Sequence, residues 1–235
     1  MSRRNTPVRW FRDQPRSVRW RVRVRWATAP LALVADALPA DGRILDWGCG
    51  HGLVALAAAD GAPVRTITGA DIDRDKVEVA RAAARAGGVD DRVTFDVVAS
   101  NQAPTGSWDA VVLCDLLYLQ GPDDQADLVR AAAAAVAPGG ALLVKELAER
   151  PRWKWALSRT QEQISVRLLR ITEVGTGFGR SPSERQIRAW MEASGLAVEE
   201  RRADRGYHTP HILLIGRQPA DRSAGVGDAA DTLSS

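Results

Sequence analysis

The groups best suited to chemistry stand close together in this chain: Asp46, then the alternate glycines Gly48, Gly50 and Gly52 with Cys49 among them, then Asp71 and Ile72. Alternate glycines let backbone N–H groups approach a ligand, because no Cβ intervenes and positive φ is open. A loop of that kind feeding a helix N-terminus attracts negative or polar ligand atoms. The spacing then separates two ligand classes. A pyrophosphate cradle reads G-x-G-x-x-G, whereas this chain has G-x-G-x-G with Asp46 two residues ahead of the first glycine. A carboxylate there repels pyrophosphate and can pair with an ammonium group. Asp71, at the tip of the next strand, suits the two hydroxyls of a ribose. An ammonium partner and a ribose partner without a phosphate cradle describe S-adenosylmethionine (SAM) better than NAD.

Such residues need a strand, a loop and a helix to hold them. Ile44-Leu45 is a short apolar run after the turn Pro39-Ala40-Asp41-Gly42, and residues 53–59 form a helix-forming run that ends at Gly61. Residues 64–70 read as a second strand. Asp73 is placed to N-cap a helix through Ala86, and residues 92–99 make a third strand. Residues 110–114 are continuously apolar, as a strand covered on both faces should be. A helix over 122–136, stopped by Pro138-Gly139-Gly140, leads to strand five at 141–145. Ser181 as N-cap with Pro182 at the first position opens a further helix to Ala193, and strands at 196–202 and 211–216 close the sheet. A helix over 29–38 packs beside it.

In this order the segments Leu45-Asp46-Trp47-Gly48-Cys49-Gly50-His51-Gly52, Gly69-Ala70-Asp71-Ile72-Asp73, 108–118 and 137–146 resemble the class I SAM-dependent methyltransferases, over residues 31–217. The resemblance implies an α/β, Rossmann-like, seven-stranded and mostly parallel sheet with helices on both faces. It also implies an enzyme that passes the methyl of SAM to an acceptor by in-line displacement. Many members of the family carry an acid after strand three that accepts from the adenine amino group. Here Ser100 and Asn101 stand in its place as neutral groups. Members that methylate exocyclic amines or amides usually show Asn-Pro-Pro-Tyr after strand four. This chain has Asp115-Leu116-Leu117-Tyr118, which argues against adenine-N6 and glutamine acceptors.

The acceptor side falls at the carboxyl edge of the sheet, where open α/β sheets place their ligands. Asp115 and Tyr118 face that edge, Asp115 also within reach of the cofactor, and His208 precedes the last strand as a possible base, near its ordinary pKa of about 6.5. His208 and His211 lack a third ligand at a convincing spacing, so no metal is expected. Trp153, Leu157, Ile164, Leu168 and Ile171 give one apolar face to a helix within 151–181, ahead of Gly175-Thr176-Gly177-Phe178-Gly179. A helical lid inserted after strand five, closing over a small substrate, fits this segment better than a dimer surface or a membrane-docking face. Arg150-Pro151-Arg152-Trp153-Lys154-Trp155, the glycine-phenylalanine loop and the turn at 207–211 look like a bacterial subgroup of small methyltransferases.

The chain carries 45% hydrophobic and 26% charged residues, an ordinary balance that supports one soluble α/β domain with a full core. No apolar stretch approaches the roughly 18 residues of a membrane span. Cys49 and Cys114 lack any C-x-x-C or zinc spacing and read as free thiols in a reducing cytoplasm. Charge is uneven: residues 1–26 hold nine arginines against Asp13 alone. Within that arm Trp20, Val22, Val24 and Trp26 alternate with Arg19, Arg21, Arg23 and Arg25, a period of two that predicts an extended segment with one apolar face. The segment either caps the cofactor domain or makes a weak contact with an anionic membrane or nucleic acid. The organisation expected is an arm at 1–26, a SAM-binding domain at 27–217 and a disordered tail at 218–235. Transfer to a small-molecule or lipid-like acceptor is the reading preferred; an RNA methyltransferase gripping through the arm and a non-catalytic SAM-binding protein are the rivals.

Overall fold

The computed structural model describes residues 7–99, 105–148, 181–203 and 206–220. Ser100, Asn101, nearly all of the 151–181 lid and the tail after residue 220 lie outside the described residues. After a short 3-10 helix, Pro7–Phe11, come α1 (Arg16–Thr28), α2 (Leu31–Ala37), β1 (Gly42–Trp47), α3 (Leu53–Gly61), β2 (Arg65–Asp71), α4 (Arg74–Gly87) and β3 (Val93–Val97). Then follow β4 (Trp108–Cys114), a 3-10 turn at Leu117–Leu119, α5 (Pro122–Ala134), β5 (Val136–Leu147), α6 (Glu184–Ala193), β6 (Ala197–Arg202) and β7 (His211–Arg217). The sheet runs β3-β2-β1-β4-β5-β7-β6, and β7 is antiparallel to both of its neighbours. The order reverses between β1 and β4, so a crevice opens at their carboxyl ends.

Strand alternation splits the interior into two cores, one on each face. Ile44, Ile67, Phe95, Val112 and Leu143 pack with α1 to α4, while Leu45, Val111, Leu113, Leu142 and Val144 pack with α5 and α6. β4 is buried throughout its last five residues, as its uninterrupted apolar run requires. Buried Arg65 ties α2 and α3 to the sheet by donating to the carbonyls of Ala35, Leu38, Pro39 and Ala58 at 2.7–3.3 Å. The guanidinium serves backbone acceptors near two helix C-termini, where positive charge is favoured.

The structure corrects three local expectations. Residues 19–26 are not extended: they belong to α1. A period of two contains a period of four, and Val18 and Val22 use it to face the core while Trp20 and Val24 remain exposed. An isolated extended segment would leave its backbone groups without a ladder, whereas a helix satisfies them internally. The N-cap of α6 is Ser183 and not Ser181, because Gln186 completes a reciprocal capping box with Ser183. Pro138-Gly139-Gly140 does not stop α5, which ends at Ala134; it lies inside β5, at an irregularity in pairing between Trp108 and Ala110 of β4.

Candidate functional site

β1 delivers Asp46 to the crevice, and the loop that follows turns through three positive-φ glycines, Gly48 (79°), Gly50 (53°) and Gly52 (76°). Close packing explains Gly52: a Cβ there would meet the Phe95 ring at 2.6 Å. Gly50 is different, since a Cβ would meet nothing within 4 Å, so the loop faces open space at that point. Four of the loop's own N–H groups, those of Gly48, Cys49, Gly50 and Gly52, are already engaged. Gly48 and Cys49 donate to the Ala70 carbonyl at 2.7 and 3.1 Å, and Gly52 donates to the Cys49 carbonyl at 2.9 Å. Gly50 N–H donates to Asp71 Oδ2 at 2.7 Å, while Asp71 Oδ1 accepts from Asp73 N–H at 2.9 Å. An ionised carboxylate has about four acceptor positions, so Asp71 keeps capacity for ligand hydroxyls. Ile72 beside it is 48% exposed, an apolar side chain left about half uncovered at the carboxyl edge.

Asp46 occupies the position a phosphate would take. Its Oδ2 accepts from Ala55 N–H at 3.2 Å, in the first turn of α3. The helix N-terminus that a dinucleotide-binding fold offers to pyrophosphate is thus already served by a carboxylate. The side chain is buried, and among the described residues no cation forms an ion pair with it. Burial pushes its carboxyl up to about 7, with the Asp71 charge adding to the effect. A buried carboxylate in need of a counter-charge, beside an open glycine, fits the ammonium group of SAM.

Burial pushes the Cys49 thiol up as well, before the nearby carboxylates add to it, which disfavours a thiolate in the loop. His51 is half-buried and pushed down to about 4, by burial first and then by the Lys76 and Arg21 charges. No local pattern signals that Arg21 of α1 stands near this loop.

The acceptor side is more polar than expected. Asp115, directly after β4, has φ 53°, the one positive-φ residue other than glycine among the described residues. Its carboxylate accepts from Lys145 Nζ at 2.7 and 2.6 Å and from Arg25 of α1. Burial alone would raise its pKa, but the Arg25 and Lys145 charges prevail and hold it well below the usual carboxylate range. A carboxylate so engaged orients cations and is a poor proton acceptor. Tyr118 sits in the 3-10 turn at the same edge, half-buried and close enough to Arg25 to act on it electrostatically. His208 is exposed, outside this cluster of contacts.

His211 is the histidine brought inside. Its Nε2 lies 3.0 Å from the Thr28 carbonyl and 2.7 Å from Thr209 Oγ1, and its Nδ1 is buried without a partner among the described residues. Burial pushes it down to about 4, so it is neutral at ordinary pH. Glu146 is also buried. Oε1 accepts from Leu117 N–H at 2.8 Å, which pins the turn carrying Tyr118, while Oε2 has no partner among the described residues. Burial, followed by the Asp115 charge, pushes this carboxyl up to about 8. Lys145 and Glu146 had a signal in the sequence, two charged residues closing a run of buried apolar ones on an interior strand. Arg25 had none beyond its place in the arm.

A model of the methyltransferase domain family matches residues 19–201. A ubiquinone biosynthesis O-methyltransferase from Xanthomonas axonopodis pv. citri is 36% identical over 169 residues, covering 69% of this chain and 65% of that one. The 27-O-demethylrifamycin SV methyltransferase of Amycolatopsis mediterranei is 30% identical over 168 residues, covering 71% of this chain and 58% of its own. The chain therefore spans less than two thirds of the length of both relatives. Among solved structures, an O-methyltransferase family protein from Burkholderia thailandensis shares the fold with a TM-score of 0.68 at 24% identity, over 91% of this chain and 63% of that one.

Proposed function

Because the chain belongs to the class I SAM-dependent methyltransferases, we propose that it transfers a methyl group from SAM to an oxygen of a small-molecule or lipid-like acceptor. The observation that carries the donor half is Asp46, whose carboxylate fills the N-terminus of α3 and is left without a cation. Asp46 holds the ammonium group, Asp71 accepts from the ribose hydroxyls, and Ile72 covers one face of the adenine. SAM, when bound, supplies an activated methyl group on a sulfonium.

The acceptor half is supported by the edge formed by Asp115, Tyr118 and the side chains behind them. Oxygen is chosen because both relatives, in ubiquinone biosynthesis and on demethylrifamycin, bear the names of O-methyltransferases or act at a 27-O position. Asp115 serves as a positioning residue that fixes Arg25 at the mouth of the crevice. Arg25 remains 41% exposed and places positive charge where an acceptor oxygen ionises. Tyr118 orients the acceptor, and Glu146 holds Tyr118 through the Leu117 N–H. Alignment of two reactants can supply up to roughly 7–11 kcal/mol, against about 10² to 10⁴ in rate from a base, so the site relies chiefly on holding its reactants in line.

The test combines purified protein, methyl-labelled SAM and a panel of catechols and hydroquinones with and without an isoprenoid tail. Label in a solvent-extractable O-methyl ether, lost in Asp46→Ala, supports the reading. SAM binding by calorimetry with no turnover on any extract would make the chain a SAM-binding protein instead. Label that is precipitable and nuclease-sensitive would turn the reading to RNA.

A further inference from the structure

At 100° per residue α1 separates its side chains into four strips. Val18 and Val22 face the core, and Arg25 reaches Asp115 on one flank. On the other flank Arg19 and Arg23 meet Arg9 and Arg12 of the preceding segment around a cavity of about 110 Å³ floored by Val8 and Phe11. That is several times the roughly 30 Å³ a water occupies in the liquid. Outermost are Trp20, 62% exposed, and Val24, 38% exposed.

The cavity is lined by four arginines with few acceptors among the described residues. Arg9 lies 3.4 Å from Asp60 and Arg12 lies 3.4 Å from its neighbour Asp13, both contacts at the long, solvent-exposed end of ion pairing. Arg19 donates through Nη1 to the Arg12 carbonyl at 3.1 Å, yet its Nε is buried with no acceptor among the described residues. Arg23 has no partner among them either. A buried charged donor without an acceptor is costly, and a tetrahedral oxyanion with several acceptor oxygens would satisfy the whole group at once.

We propose that this cavity takes the phosphate of an anionic phospholipid headgroup and that α1 lies in the membrane interface, with Trp20 and Val24 entering the headgroup boundary beside it. Two features select a lipid over a nucleic acid. The exposed strip next to the arginines pairs a tryptophan with an aliphatic side chain, the composition of an interfacial helix. A single-stranded nucleic acid calls for successive stacking aromatics, and Trp20 is the sole aromatic among the exposed large apolar side chains of the described residues. The site is separate from methyl transfer, and its occupation requires no SAM.

The test is sedimentation of the full chain, without SAM, with large vesicles of phosphatidylcholine alone or mixed with phosphatidylglycerol. Binding to the mixed vesicles only is expected, with a blue shift of tryptophan emission. The pair Arg19→Gln and Arg23→Gln should weaken it about tenfold or more at low salt, and Trp20→Ser should weaken it separately. The pair Arg130→Gln and Arg201→Gln, exposed arginines outside the cavity, removes the same charge and should leave binding near that of the parent. Equal loss in both pairs would reduce the effect to net charge and overturn the site. No vesicle binding, or binding only of inorganic phosphate or of poly(U) RNA, would overturn the lipid assignment. Circular dichroism melts of each variant separate lost binding from lost folding, and Trp20→Ser, at an exposed position, keeps the test decisive if the arginine pair unfolds.

Discussion

Replacing Asp46 by asparagine should stabilise the ligand-free protein and weaken donor binding, two effects of opposite sign from one side chain. Asp46 is 2% exposed, and its carboxyl is pushed up from 3.8 to about 7 by burial and then by Asp71. A folded-state pKa above the unfolded one means that the native protein holds the proton more tightly. The stability that goes with it is complete below about pH 4 and is lost as pH rises towards 7. The interval from 3.8 to about 7 corresponds to a penalty on the order of 4 kcal/mol by pH 8. Asparagine keeps an oxygen for the Ala55 N–H and carries no charge. Urea unfolding should therefore find Asp46→Asn more stable than the parent above pH 7, by up to that amount, and indistinguishable near pH 4. Donor binding moves the other way, because the charge-assisted contact to the ammonium is worth about 1.5–3 kcal/mol, or roughly 10- to 150-fold in affinity. Since Asp46 has to ionise to make that contact, the parent's affinity for SAM in calorimetry should rise with pH towards about 7, by no more in total than that roughly 10- to 150-fold, and then level off. The variant should lack this rise. An Asp46→Asn protein that is less stable than the parent at pH 8, or that binds SAM equally well, would refute the reasoning.

Other perturbations test the acceptor side and the packing. Asp115→Asn strands the buried Lys145 ammonium, so a loss of about 3–5 kcal/mol is expected in denaturant unfolding; a loss under 1 kcal/mol would show that the ion pairs do not hold this edge. Glu146 is pushed up to about 8 from 4.5, so the parent should lose stability as pH rises through that window. Glu146→Gln should reduce that slope, leaving the part that Asp46 contributes below about pH 7, while raising KM for the acceptor more than it alters SAM affinity, and an unchanged slope would argue against the buried Glu146 carboxyl as a source of it. Gly52→Ala combines φ 76° with a contact of 2.6 Å to Phe95; a melting point lowered by several degrees is expected, and an unshifted one would mean the loop adapts freely.

The donor half of the site was legible because its residues work through sequence-local devices. Asp46 and the glycines lie on one strand-loop-helix unit, and Asp71 ends the next strand, so spacing alone brings them together. The acceptor half depends on distant pairings that no local pattern encodes. Arg25 meets Asp115 only because α1 crosses the carboxyl edge, and His211 meets Thr28 across 183 positions of chain. Of the two histidines near β7, the sequence favoured His208, which is exposed, while the inward position went to His211, which opens a strand buried through its first six residues and pairs with Leu147. The alternation in residues 19–26 misled for a related reason. A pattern of period two fits a strand, but the sheet edges are taken by β3 and β6, and the same residues also offer a helix its i, i+4 face.

The position of β7 bears on the order in which the protein can be made. Among the described strands β7 is the last to leave the ribosome, yet it lies between β5 and β6. Until residue 217 has been synthesised, Leu142, Leu143 and Val144 of β5 have no strand neighbour on that side among the described residues, and β6 has none at all among them. The nascent chain thus passes through a stage with an open apolar sheet edge, a template for pairing with another chain. The charges on β6, Glu199, Glu200, Arg201 and Arg202, protect the waiting strand. β5 has no such guard in its centre. Stalled translation before residue 211 should accordingly yield aggregates and not a smaller soluble domain.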